Sequence, residues 1–175
     1  IAQLVSRLYD PEHGRILIDE NNLIELNLFD LRNSIGYVTQ EALLFSDSIA
    51  NNISFGCQKK TNINSIKNVA KMASVHENII GFKEGYNTQI GERGVTLSGG
   101  QKQRISIARA FIRKPKILIL DDCLSAVDTK TEDQILKNLK EVMRSCTSII
   151  ISHRISSIKH AEQIIVLEEG HIIEK

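Results

Sequence analysis

At 175 residues the chain can build one domain with a substantial buried core and has little left for a second. A hydrophobic fraction of 42% and a charged fraction of 25% are ordinary for a soluble domain, and 22 basic against 21 acidic residues leave a formal charge of +1, which excludes a composition built for a polyanion. Apolar runs such as residues 117–120 and 149–151 fall far short of the ~18 residues a membrane-spanning helix needs, and Cys57, Cys123 and Cys146 show no CxxC spacing, which disfavours a disulfide framework or zinc site and suits a reducing cytosol.

Ile1, Leu4, Val5 and Leu8 fall at i, i+3, i+4 and i+7, so an amphipathic helix is expected up to Asp10-Pro11. Gly14 then turns the chain into a strand over residues 15–18, a small helical piece covers 28–32, and a second strand runs over 35–39. Between Asp47 and Phe82 the strand signals fade, and Ile66, Val69, Ala70 and Ala73 mark one helical face. Glycines 81, 85, 91 and 94 lead to Leu97, after which Ile105, Ala108 and Ile112 give a helix stopped by Pro115. Basic residues at 102–104, interleaved with glutamine, read as a solvated helix face, and no nucleic-acid partner is expected.

From residue 117 the pattern is α/β. Residues 117–120 read as a strand buried on both faces, Thr129 and Glu132 as a capping box for a helix using Ile135, Leu136, Leu139, Val142 and Met143, and residues 148–152 as another buried strand. A third strand is expected over 164–167, then a turn at Glu169-Gly170 and a last short strand. This order predicts right-handed crossovers and a mainly parallel sheet with flanking helices. The expected division is an α/β core, residues 1–46 and 115–175, with a helical subdomain inserted over 47–114.

Parallel sheets collect reactive groups at the carboxyl ends of their strands. Asp121 and Asp122, His153, and Gln40 all sit at such ends. A carboxylate there can hold magnesium directly or through water, and a second polar group can orient an attacking water. Ser98-Gly99-Gly100, just before a helix, offers a hydroxyl, unhindered N–H groups and the positive end of the helix dipole, a combination suited to phosphate.

The full string Leu97-Ser98-Gly99-Gly100-Gln101-Lys102-Gln103-Arg104, followed by Ala108-Arg109-Ala110 and the apolar strand ending at Asp121, resembles the signature and Walker B motifs of ABC ATPases. Ser125-Ala126-Val127-Asp128 resembles the D-loop, His153 the switch histidine and Gln40 the Q-loop glutamine. The stretch from Tyr37 through Phe45 to Ile53, with Gly91-Glu92-Arg93-Gly94, resembles the exporter branch, and the likeness covers essentially the whole chain.

The resemblance implies a P-loop NTPase-like fold, ATP and Mg2+ as ligands, and a head-to-tail dimer with a second ABC ATPase domain. Ser98, Gly99 and Gly100, with Gln101, would contact the γ-phosphate of ATP bound to the opposite domain, and Asp128 would reach across the interface. Asp121 would hold magnesium through water. Gln40 would contact magnesium and the attacking water and relay to a transmembrane domain, fused or in a partner chain, and His153 would bind the γ-phosphate. The implied activity is ATP hydrolysis driving export, at the cytoplasmic face of the cell membrane.

Two departures qualify these expectations. The family's phosphate-cradling loop, G-x-x-G-x-G-K-[ST], is absent, as is the aromatic residue that stacks on adenine, and the helix at 1–8 resembles the one that follows that loop. A chain beginning just after the loop is therefore expected, unable to hold ATP in its own site yet able to present Ser98 to a partner. Asp122 stands where most members carry a catalytic glutamate; its carboxylate is one methylene shorter, which suggests the degenerate site of a heterodimeric exporter. A soluble ABC ATPase clamp acting on DNA or ribosomes, and an inactive truncated cassette, are the alternatives.

Overall fold

The computed structural model describes residues 1–57, 59, 61–91, 94–159 and 161–175; Glu92 and Arg93 of the tetrapeptide before the signature string lie outside the described residues. Helix α1 (Ala2–Val5) is shorter than the periodicity of residues 1–8 implies. Arg7 takes a left-handed φ of 52°, and Ser6 turns its hydroxyl back onto the Ala2 carbonyl at 3.0 Å. A side chain that bonds its own backbone competes with helix continuation.

Strands β1 (Leu17–Ile18) and β2 (Asn21–Asn22) form a small antiparallel hairpin. Its two central residues, Asp19 and Glu20, both have positive φ (47° and 68°), the hand of turn that matches strand twist. Helix α2 (Leu28–Ser34) is capped by Asn27, whose side chain accepts from the Phe29 and Asp30 amides. It delivers the chain directly into β3 (Ile35–Val38).

The helical stretch expected after Asp47 consists of α3 (Ile49–Ser54), α4 (Ile63–Met72) and α5 (His76–Ile80), with caps at Ser48 and Asn62. These lead into α6 (Gly99–Ile112), which packs on α3, α4 and β3. The chain then alternates through β4 (Ile117–Asp121), α7 (Thr129–Met143), β5 (Thr147–Ile151) and the short α8 (Ile155–Ile158).

Strands β3, β4 and β5 form a parallel sheet with β4 in the centre. Pleating sends alternate β4 residues to opposite faces. Leu118 and Leu120 join one core with Val38, Ile49, Ile53, Ile105 and Leu139; Ile117 and Ile119 join a second with Ala2, Leu23, Leu31 and Ile35. Burying each such side chain contributes roughly 1.5–3 kcal/mol, and the unbroken apolar run of β4 follows from having a core on each face.

Three local expectations are corrected. Asp128, not Thr129, caps α7, accepting from the Thr131 amide at 3.0 Å, while Glu132 points inward and is 1% exposed. Aspartate ranks above threonine as a cap, and Glu132 is drawn away by Arg154. The strand expected at 164–167 is β6 (Val166–Glu168), which pairs with β7 (His171–Glu174) in an exposed antiparallel hairpin and not with the parallel sheet. Glu169 and Gly170, both at positive φ, close that hairpin locally. Finally, β5 is only half-buried, being at the sheet edge.

Candidate nucleotide site

The parallel register sets Val38 beside Leu120 and Asp121 beside Ile151, so the three strands end together. Gln40, Asp121, Asp122 and His153 consequently share one edge of the sheet. Tyr37, on β3, donates its hydroxyl to Asp121 Oδ2 at 2.9 Å. Gln40 Nε2 donates to Asp122 Oδ2 at 3.3 Å, closing a sequence gap of 82 residues. Burial, then the bond to Asp121, pushes the Tyr37 hydroxyl up to about 12, so near neutrality it remains a donor that holds the carboxylate in place.

Asp122 leaves the strand at a left-handed φ of 44°, its amide bonded to the Ile151 carbonyl at 2.8 Å. Its own carbonyl accepts from Ser125 Oγ at 2.8 Å. A non-glycine residue in that region is uncommon and is held there by its surroundings. Burial pushes the neighbouring Cys123 thiol up to about 12, which makes it a poor nucleophile. His153 is exposed, two residues past the end of β5.

Ser98 caps α6 in a reciprocal box: its hydroxyl accepts from the Gln101 amide at 3.3 Å, and Gln101 Oε1 accepts from the Ser98 amide at 2.9 Å. Two of the unpaired donors at the helix start are thereby satisfied, which leaves the Gly99 and Gly100 N–H groups at the positive end of a 14-residue helix. Gly100 packs closely on its neighbour, since a Cβ there would sit 3.0 Å from the Ala126 carbonyl oxygen. The start of α6 therefore lies directly against residues 125–128. Asp128 next along is fully exposed, and its bonds to Thr131 lower its carboxyl from the usual range. No hydrogen bond among the described residues joins the side chains of Ser98 or Gln101 to Gln40, Asp121, Asp122 or His153.

Several residues around these groups were not singled out from sequence. Buried Gln103 on α6 donates through Nε2 to the Gln40 carbonyl, tying the signature helix to the Gln40 loop. Arg104, expected on a solvated face, instead turns inward to the carbonyls of Ser74 and Gly100 and to Asn78 Oδ1, and desolvation lowers its pKa. Arg109 bonds the Asn52 side chain and carbonyl and the Leu43 carbonyl, with its guanidinium 5.3 Å from the Phe45 ring centre. Long polar side chains on an otherwise apolar helix were the one available signal. Nothing in their spacing reveals partners 26 to 66 residues away.

Paired carboxylates, a phenol and a carboxamide gathered at the ends of parallel strands with flanking helices are the arrangement of an α/β domain of the P-loop NTPase-like class. The oxygen donors suit magnesium, which takes few protein ligands and keeps water and phosphate oxygens for the rest. The ABC transporter family model matches residues 1–125, and the chain belongs to that family. It is 50% identical to the multidrug resistance-like ATP-binding protein MdlA of Buchnera aphidicola (subsp. Schizaphis graminum), over all of this chain and 30% of that protein. It is 47% identical to MdlA of Escherichia coli K12, with the same coverage of each. The structure of a bacterial Atm1-family ABC exporter with ATP bound superposes with a TM-score of 0.93 at 40% identity, covering 99% of this chain and 30% of that one. The chain corresponds to the exporter-type ATPase domain, and it spans about three tenths of the length of these relatives.

Proposed function

We propose that this domain binds and hydrolyses ATP to drive export of a substrate across a membrane, working head-to-tail with a second ABC ATPase domain and coupled to a transmembrane domain. The observation that carries the reading is the meeting of Gln40 with Asp122, and of Tyr37 with Asp121, at the ends of β3 and β4. Asp121 would hold magnesium through water, kept in orientation by Tyr37. Magnesium, when bound, neutralises charge on the phosphates. Gln40 would position the attacking water and sense its presence, since its carboxamide can exchange Asp122 for water. His153 would bind the γ-phosphate from the β5 side. Ser98, Gly99, Gly100 and Gln101 would complete the partner's site, with Asp128 at the interface, and residues 47–114 would act as the helical subdomain carrying them.

We propose further that Asp122 makes this a slow site paired with a faster one. A misplaced general base forfeits much of its roughly hundred- to ten-thousandfold contribution. In the purified intact gene product, Asp122→Glu should raise phosphate release, and Ser98→Arg should abolish turnover while leaving the protein's own nucleotide affinity within about twofold. Normal turnover that Asp122→Asn abolishes and Asp122→Glu does not improve would sink the slow-site reading. Equal loss of binding and turnover in Ser98→Arg would sink the shared-site reading.

A further inference from the structure

One charged contact in the molecule serves none of the roles above. Arg154 follows His153 directly and stands at the N-cap position of α8, its side chain making no capping bond. Its guanidinium makes a forked set of bonds: Nη1 donates to Glu132 Oε2 at 2.6 Å and to the Val127 carbonyl at 3.3 Å, and Nη2 donates to the Ser125 carbonyl at 2.9 Å. Glu132, 1% exposed, has its other carboxylate oxygen bonded by the Ser157 hydroxyl. The Arg154 amide donates to Ser152 Oγ at 3.0 Å, fixing the turn that carries His153. A buried carboxylate on α7 with both oxygens bonded from residues 154–157, and a guanidinium whose other bonds go to the carbonyls of residues 125 and 127, join segments that are distant along the chain.

Resting on the reading of His153 and residues 125–128 given above, we infer that Arg154 is a positioning residue that locks the His153 turn to the Ser125–Asp128 loop, so that the two move as one body. The geometry distinguishes this from simple charge neutralisation. A single carboxylate would be satisfied by any cation, whereas carbonyls 125 and 127 are reached only because a planar fork presents several donors at fixed angles. The consequence is functional: the loop that faces the partner domain cannot shift without moving the histidine that faces the phosphate. Occupancy of one site is thereby passed to the other along bonds within a single domain.

The test compares Arg154→Lys with Glu132→Gln in the intact gene product, read by amide exchange without nucleotide and by steady-state ATPase. Lysine keeps the charge facing Glu132 but cannot hold both carbonyls. Exchange should quicken about tenfold in residues 152–157 and 125–128 together, with α6 and β4 unchanged. Turnover should fall about 10- to 100-fold while KM for ATP stays within about twofold. Exchange rising in 152–157 alone, or Arg154→Lys retaining wild-type turnover, overturns the inference. In Glu132→Gln, which keeps the carbonyl bonds, both loops should remain coupled; their separate loosening would show that the ion pair, not the fork, sets the geometry, and would equally overturn it. Should the wild-type protein hydrolyse no ATP, the functional reading fails, yet the exchange comparison still decides whether the two loops are joined.

Discussion

Tyr37 shows how one side chain can serve both fold and site. Its hydroxyl is protonated in the folded state up to about pH 12, against an ordinary value of 10.0, because ionisation would place a phenolate in a partly desolvated position beside the Asp121 carboxylate. A folded-state pKa that is raised contributes stability that is complete below the unfolded value and lost as pH rises through the folded one. Stability should therefore decline between about pH 10 and pH 12. Tyr86, also pushed up to about 12 by burial and then by Glu77, adds to the same window. Denaturant titrations at several alkaline pH values should show Tyr37→Phe reducing that slope without abolishing it; an unchanged slope would mean the hydroxyl is not held by Asp121. Asp128 works with the opposite sign. Its lowered carboxyl stabilises α7 above the ordinary aspartate range and loses that effect as the solution is acidified through the folded value.

At the scale of elements, α6 packs against α3, α4 and β3. Its far end approaches β3 so closely that a Cβ on Gly36 would lie 2.9 Å from Pro115 Cγ and 3.2 Å from the Ala110 carbonyl. Gly36→Ala should lower unfolding free energy by about 1–3 kcal/mol, the usual cost of overpacking. Adding Pro115→Ala should recover part of that loss, a non-additivity expected of touching residues and measurable by a double-mutant cycle. At the near end, Ser98→Ala should cost about 1 kcal/mol through the capping box alone. This structural share must be subtracted before any effect on turnover is assigned to phosphate contact, and Ser98→Asp, which keeps a cap, provides the control. Arg109 fastens the last turn of α6 to α3; Arg109→Lys should destabilise because a point charge cannot reproduce the bonds to Asn52 and Leu43 together.

For the whole molecule, the two cores on either face of β4 decide stability. Leu118, fully buried in one of them, should cost about 2–5 kcal/mol when replaced by alanine, seen as a lower thermal midpoint with the transition still cooperative. Ile119→Ala, in the other core, should be similarly costly, and the two losses should be close to additive if the sheet separates the cores. Among the described residues no helix is long and apolar enough to cross a membrane.

The sequence by itself determined the α/β alternation after residue 117, the strands expected at 35–39, 117–120 and 148–152, each within a residue of β3, β4 and β5, and the strand-end positions of Gln40, Asp121, Asp122 and His153, because periodicity and turn residues act locally. It also determined the signature string at the start of α6 and the departure at Asp122. Two of its errors fell where a distant partner outweighed a local preference. Glu132 had the spacing of a capping-box residue, but Arg154, 22 positions on, drew it into the interior. Arg104 had the composition of a solvated face, yet the Ser74 carbonyl and Asn78 turned it inward. Only the tertiary structure could decide that Tyr37 braces Asp121, that Gln40 meets Asp122, and that the His153 turn is fastened to the loop at Ser125. Those contacts join residues 29 to 84 positions apart, whose meeting depends on register and crossover, and no pattern along the chain encodes it directly.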